Sequence, residues 1–122
     1  MSKYRNKKVK IGDLKFDSQI EYKYYNQLVW LKRNKQIKDF ELQPPFILLD
    51  KFKTAEGKTI RAIKYIADFK VINLDGSFEI VDVKGKLTEV FKLKKKMFQS
   101  RYPDIKLRCV YWDEYKGWYE LD

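Results

Sequence analysis

The sequence predicts a mixed α/β fold, with one central sheet of parallel and antiparallel strands flanked by helices in the order αβββαβ. Three observations carry this expectation. A capped amphipathic helix comes first, and a long alternating segment then turns back on itself through Leu74-Asp75-Gly76. A second helix finally leads into a β-branched, aromatic run. A helix between two strands is a crossover, which commonly returns the chain parallel to the strand before it.

The first helix is predicted over residues 18–33. Asp17 and Ser18 suit the N-cap, and Glu21, three positions after Ser18, completes a capping box. Ile20, Tyr24, Leu28 and Leu31 recur at helical spacing, with Lys32 and Arg33 at the end. Glu21 flanks this inward stripe, where the cap and the helix dipole already favour a carboxylate. Extended segments follow at 37–42 and 46–52, interrupted by Pro44-Pro45, and residues 54–59 with Gly57 read as a turn. Residues 60–74 alternate at strand period, and 78–84 form the returning strand. Thr88 opens a helix to Arg101. Its apolar Val90, Phe91, Leu93, Met97 and Phe98 oppose Lys92, Lys94, Lys95 and Lys96, and Pro103 ends it. Residues 105–112 read as a buried strand in which Cys109 is a small core residue, and Trp118 and Tyr119 lie in a short strand or loop.

The chain of 122 residues fits a single domain, 1–122, with residues 1–15 as a basic N-terminal arm. Its 16% aromatic residues supply a core, since each buried ring removes about 150–250 Å² from water. No histidine is present, which excludes histidine general bases, Ser-His-Asp arrangements and His-containing zinc sites. The single Cys109 cannot close an intramolecular disulfide, so a reduced, cytoplasmic setting is expected. No apolar run reaches the roughly 18 residues that span a bilayer, and the N-terminus lacks a signal-peptide core, so no membrane partner is expected.

Charge points to a nucleic acid. Lys and Arg total 27 against 17 acids, a net charge of +10. Residues 1–10 hold Lys3, Arg5, Lys7, Lys8 and Lys10 without an acid: a solvated terminus that can also follow a phosphate backbone. Residues 84–96 hold six lysines against Glu89. Lys86, Lys92, Lys94, Lys95 and Arg101 are therefore candidates for phosphate contact. Tyr22, Tyr24 and Tyr25 are candidates for stacking on bases, with core packing favoured for Tyr24, and Gln43 could project near a site.

The chemistry concentrates in Tyr65-Ile66-Ala67-Asp68 and Ile80-Val81-Asp82-Val83-Lys84-Gly85. Alternation puts Asp82 and Lys84 on one face of a strand and Val81 and Val83 on the other. A carboxylate and an ammonium in an apolar strand are costly unless they pair or bind something. Hairpin register decides whether Asp68 joins them. A two-residue loop at Asp75-Gly76 sets Asp68 opposite Val83. A three-residue loop, Leu74-Asp75-Gly76, pairs Asn73 with Ser77 and sets Asp68 opposite Asp82, with Gly76 taking the left-handed position. Opposed like charges are destabilising, so the second register implies a counter-ion, for which a hard divalent cation fits carboxylate oxygens best.

Asp68, then Asp82-Val83-Lys84 after a hairpin, preceded by a helix bearing Glu21, resembles the PD-(D/E)XK nuclease superfamily. Within it the sequence is similar to small phage and prophage nucleases related to Holliday-junction resolvases, over roughly residues 16–112. The Phe16-Asp17-Ser18…Glu21 opening, Tyr65-x-Ala-Asp68, Asp82-Val-Lys-Gly85 and the Thr88…Phe91-Lys92-Leu93-Lys94 helix carry the likeness, and are also similar to a phage family of unknown function. Ala67 stands where the superfamily signature has Pro. The resemblance implies a restriction-endonuclease-like sheet and a metal-dependent DNA endonuclease that hydrolyses phosphodiester bonds of branched DNA as a C2 homodimer. It also implies that Asp68, Asp82 and the Val83 carbonyl ligate Mg²⁺, or Mn²⁺ in its place, with Glu21 adding a direct or water-mediated ligand. Lys84 then orients or deprotonates the attacking water. The rival readings are a non-catalytic basic nucleic-acid-binding module and an end-dependent or single-strand nuclease of the same fold.

Overall fold

The computed structural model describes residues 9–11, 14–16, 18–84 and 87–120. Strands β1 (Val9–Ile11) and β2 (Leu14–Phe16) pair antiparallel, so part of the basic arm is a hairpin. Helix α1 (Gln19–Arg33) starts where the capping signal predicts, with Ser18 Oγ accepting from the Glu21 amide at 3.1 Å. Its buried stripe includes Glu21, Tyr24 and Leu28.

Next come β3 (Asp39–Leu42), β4 (Pro45–Leu49), β5 (Phe52–Lys53), β6 (Thr59–Ile60), β7 (Ile63–Ile66) and β8 (Phe69–Ile72). Residues 60–74, which alternation reads as one strand, are therefore divided among three. The ladder nevertheless runs on in one register. Leu42 pairs with Phe69 and Pro45 with Ile66, and between them the Gln43 amide donates to the Asp68 carbonyl and the Ala67 amide to the Pro44 carbonyl. Gln43 has φ of 51° there, a left-handed conformation uncommon for a side-chain-bearing residue. Ala67 packs in one core and Phe69 in the other, whereas unbroken alternation would place both on one face. The ladder is kinked, and Asp68 sits at the kink.

Strand β9 (Phe78–Val83) returns antiparallel to β8, helix α2 (Glu89–Arg101) crosses over, and β10 (Leu107–Asp113) pairs parallel to β9. Strand β11 (Gly117–Glu120) completes the sheet, whose order is β11-β10-β9-β8-β3. The result is a mixed five-stranded sheet with α1 and α2. Thr88 caps α2 by accepting from the Phe91 amide at 3.1 Å.

Two cores bracket the sheet. Tyr24 and Leu28 of α1 meet Phe69, Val71, Val81 and Val110 on one face. Phe91 and Phe98 of α2 meet Ile80, Leu107, Cys109 and the β4–β7 hairpin on the other. Strand β9 is central and covered on both sides, so Ile80, Val81 and Asp82 are all buried in succession. An aspartate in that position is the anomaly on which the site is built.

Arg108 ties three neighbouring strands together, meeting Glu79 of β9 at 3.0 Å and Glu120 of β11 at 2.8 Å. Among the described residues, no helix is long and apolar enough to cross a membrane.

Candidate active site

The register of β8 against β9 places the two aspartates. Phe69 pairs with Val81, the Asn73 amide donates to the Ser77 carbonyl at 2.8 Å, and Gly76 sits at φ of 90°. This is the three-residue loop, with glycine at the position that strains a side-chain-bearing residue. Asp68 therefore lies at the end of the ladder facing Asp82. Its Oδ2 accepts from the Val83 amide at 2.7 Å, which fixes the carboxyl group across the strand gap.

Asp82 is 4% exposed. Its carboxylate accepts a short hydrogen bond from the Tyr65 hydroxyl and pairs with Lys84 Nζ at 3.2 Å. The Lys84 ammonium also lies 3.5 Å from the centroid of the Phe91 ring, so a carboxylate and an aromatic face hold it in a half-buried position. These residues, with Asp68 and Lys94, line a pocket of about 390 Å³ at the C-terminal end of β9. Mixed sheets favour that end for sites, because the crossover helix leaves a crevice there.

The electrostatics are those of crowded acids. Burial is the first cause that raises the Asp68 pKa, followed by the charge of Asp82, a hydrogen bond to Asp82, and the charge of Glu21. Asp68 thus holds its proton far above the ordinary carboxylate range. The Tyr65 hydroxyl is pushed further toward its neutral form by burial and by Asp82, so it acts as a donor.

The raised Asp68 pKa predicts an unusual pH dependence. The unfolded carboxyl titrates near about 3.9, and between there and the raised value the folded chain holds the extra proton. Stability of the metal-free protein should fall as pH rises through that window. Asp68→Asn should flatten the slope and raise the melting temperature at pH 8, read by thermal denaturation across pH 4–9. An unchanged slope would mean that Asp68 is not held protonated.

Glu21 is buried in the first turn of α1, and its charge reaches Asp68. Among the described residues, no three acidic, cysteine or histidine side chains form a compact metal-holding group. The compact unit is the Asp68–Asp82 pair. A magnesium ion is commonly bound by one or two carboxylates and keeps several waters, so two carboxylates fit such an ion without a third protein ligand. The donors are all oxygen. Cys109, the one thiol, is buried in the core, and burial pushes its pKa up.

The basic candidates divide. Lys94 lines the pocket, whereas Lys95 lines a separate cavity beside Cys109. Lys92 pairs with Glu89 at 3.1 Å, and Arg101 is turned to Asp50 at 2.9 Å. Lys7, Lys8 and Lys86 lie outside the described residues. Gln43 contributes its backbone, bracing the Asp68 carbonyl. Tyr24 packs in the core against Phe69 and Trp118, and Tyr22 stacks with Tyr25. Tyr65 as the partner of Asp82 escapes sequence reasoning, since only the kinked hairpin brings it over β9. Its place two residues before Ala67 and three before Asp68 is the sole local signal.

Over residues 1–116 the chain matches a family described as a protein of unknown function, DUF1064. The chain belongs to the DUF1064 family. No curated protein matches it. The match covers α1, the Asp68 kink, β9, α2 and β10, so every element that forms the pocket lies within the DUF1064 region.

Proposed function

We propose that this DUF1064 protein is a metal-dependent DNA endonuclease that hydrolyses phosphodiester bonds, acting on branched DNA as a homodimer in the cytoplasm. The observation that carries the reading is the apposed Asp68–Asp82 pair with Lys84 at 3.2 Å from Asp82, in a pocket at the end of the central strand. A buried carboxylate facing a half-buried one is costly as a structural device, and a divalent cation relieves the cost. The PD-(D/E)XK-like order of Glu21, Asp68, Asp82 and Lys84 supports the same chemistry.

Asp68 and Asp82 would hold Mg²⁺ or Mn²⁺, with the Val83 carbonyl and Glu21, directly or through water, completing the shell. The bound cation supplies an acidified water and stabilises charge on the scissile phosphate. Lys84, held by Asp82 and the Phe91 ring, would orient the attacking water and offset charge on the phosphate. Tyr65 keeps the Asp82 carboxylate in one orientation. Lys94 at the pocket wall offsets the backbone charge of the entering strand.

The test uses purified protein with labelled four-way junction and linear duplex, with Mg²⁺, with Mn²⁺ and with chelator. Cleavage that requires metal and favours the junction is expected. Cleavage from free ends only would make it an end-dependent nuclease. No cleavage with either metal, alongside metal-independent binding, would make it a basic binding module and overturn the enzyme reading.

A further inference from the structure

All three tryptophans of the chain, Trp30, Trp112 and Trp118, line one open groove of about 450 Å³ with Lys23, Asn26 and Gln27. The rings are braced. Trp118 meets Trp112 edge-on at 5.1 Å and Tyr24 at 4.9 Å, and the Lys23 ammonium lies 3.4 Å from the centroid of Trp112. Trp118 packs at the border of a core, which gives it a structural reason to be there. Trp30 has none: it belongs to neither core and is 55% exposed.

The helix wall of the groove is cationic. Gln19, Lys23, Asn26, Trp30 and Arg33 recur at helical spacing and are all exposed, so the outer face of α1 carries two cations and two amides without a carboxylate. Near the other wall, the Asp113 carboxylate is engaged by the Tyr115 and Lys116 amides of its own turn. The groove lies on the α1 face of the sheet and the pocket on the α2 face, and both sit at the end where β9 stops. Val110 pairs with Val83 and its carbonyl accepts from the Lys84 amide, so Trp112 stands two residues beyond the end of β9.

We propose that this groove is a stacking platform for unpaired bases of a DNA single strand that leads away from the Asp68–Asp82 pocket. The exposed Trp30 indole is a stacking surface for any base, alongside Trp112 and Trp118 in the same groove, and Lys23 and Arg33 along the same helix face meet the phosphates. Asn26 and Gln27 bring amide donors and acceptors to base edges. The proposal rests on the nuclease reading and specifies its substrate: DNA with unpaired nucleotides beside the cut.

Because the groove holds every tryptophan, intrinsic fluorescence reports on it directly. The full chain, free of metal, is titrated with a dT oligonucleotide, with an abasic strand of the same length and with blunt duplex. The dT strand should quench fluorescence, and Trp30→Ala should weaken its binding about tenfold. Trp30→Phe, which keeps a stacking face, should retain most of the affinity, and the abasic strand and duplex should bind Trp30→Ala and wild type equally. Unchanged dT binding by Trp30→Ala would overturn the proposal. So would a wild-type dimer in sedimentation that Trp30→Ala dissolves while dT binding persists, since a second copy would then occupy the groove. Quenching without metal-dependent cleavage sinks the nuclease reading alone, and cleavage without quenching sinks the platform alone.

Discussion

Asp82→Asn should lower metal-dependent cleavage by about a hundredfold or more while DNA binding persists. The side chain is buried in the middle of the sheet, where it accepts from Tyr65 and pairs with Lys84 at 3.2 Å. Asparagine keeps the shape and one acceptor oxygen. It replaces the other oxygen with an amide donor, leaving a metal ion and the lysine without a full carboxylate charge. Asp68→Asn should cost as much activity, since it removes the facing carboxylate.

The two variants should part in stability. Asp68→Asn removes a carboxyl group whose pKa is raised first by burial and then by the charge of Asp82, so the metal-free protein should melt higher at pH 8. Asp82→Asn leaves the half-buried Lys84 ammonium without its carboxylate partner and should melt lower. Cleavage assays paired with thermal denaturation decide this. A variant pair that loses stability alike but retains cleavage would show these acids to be a structural ion network.

Phe98→Ala should cost about 3–5 kcal/mol, the second large effect. Phe98 is 0% exposed, and it is the common neighbour of Phe46 at 4.9 Å, Tyr102 at 5.2 Å and Tyr65 at 5.8 Å. Truncation removes the ring from three aromatic partners at once and leaves a cavity between α2 and the β4–β7 hairpin. Against a total stability of about 5–15 kcal/mol, the variant should be marginal in urea titrations. Tyr65 sits on that hairpin and fixes Asp82, so cleavage should also fall in whatever fraction remains folded. A loss below about 1 kcal/mol would mean that the hairpin does not pack on α2 as described.

Much of this was legible in the residues. Ser18 with Glu21, Thr88 and Pro103 set the helix limits, because caps and a missing amide act locally. Gly76 with the Asn73…Ser77 spacing favoured the three-residue loop, and the observed register follows it. Asp82 and Lys84 share a face because strand alternation dictates it, and they meet as an ion pair.

The kink was not legible. Residues 60–74 keep their alternation through Asp68, yet Ala67 and Phe69 enter opposite cores, because Gln43 adopts a positive φ where the partner strand bends. At that bend the β4–β7 hairpin packs against α2, a contact between segments distant in sequence. It carries Tyr65 onto Asp82, and of the basic candidates Lys84 and Lys94 line the pocket while Lys92 pairs with Glu89 and Arg101 with Asp50. The sequence by itself determined the fold class, the two helices, the β8–β9 turn and the acids available for chemistry, since periodicity, caps and turn residues are local properties. Only the tertiary structure decided which of those groups face one another, because desolvation and charge coupling exist only once distant segments have closed around them.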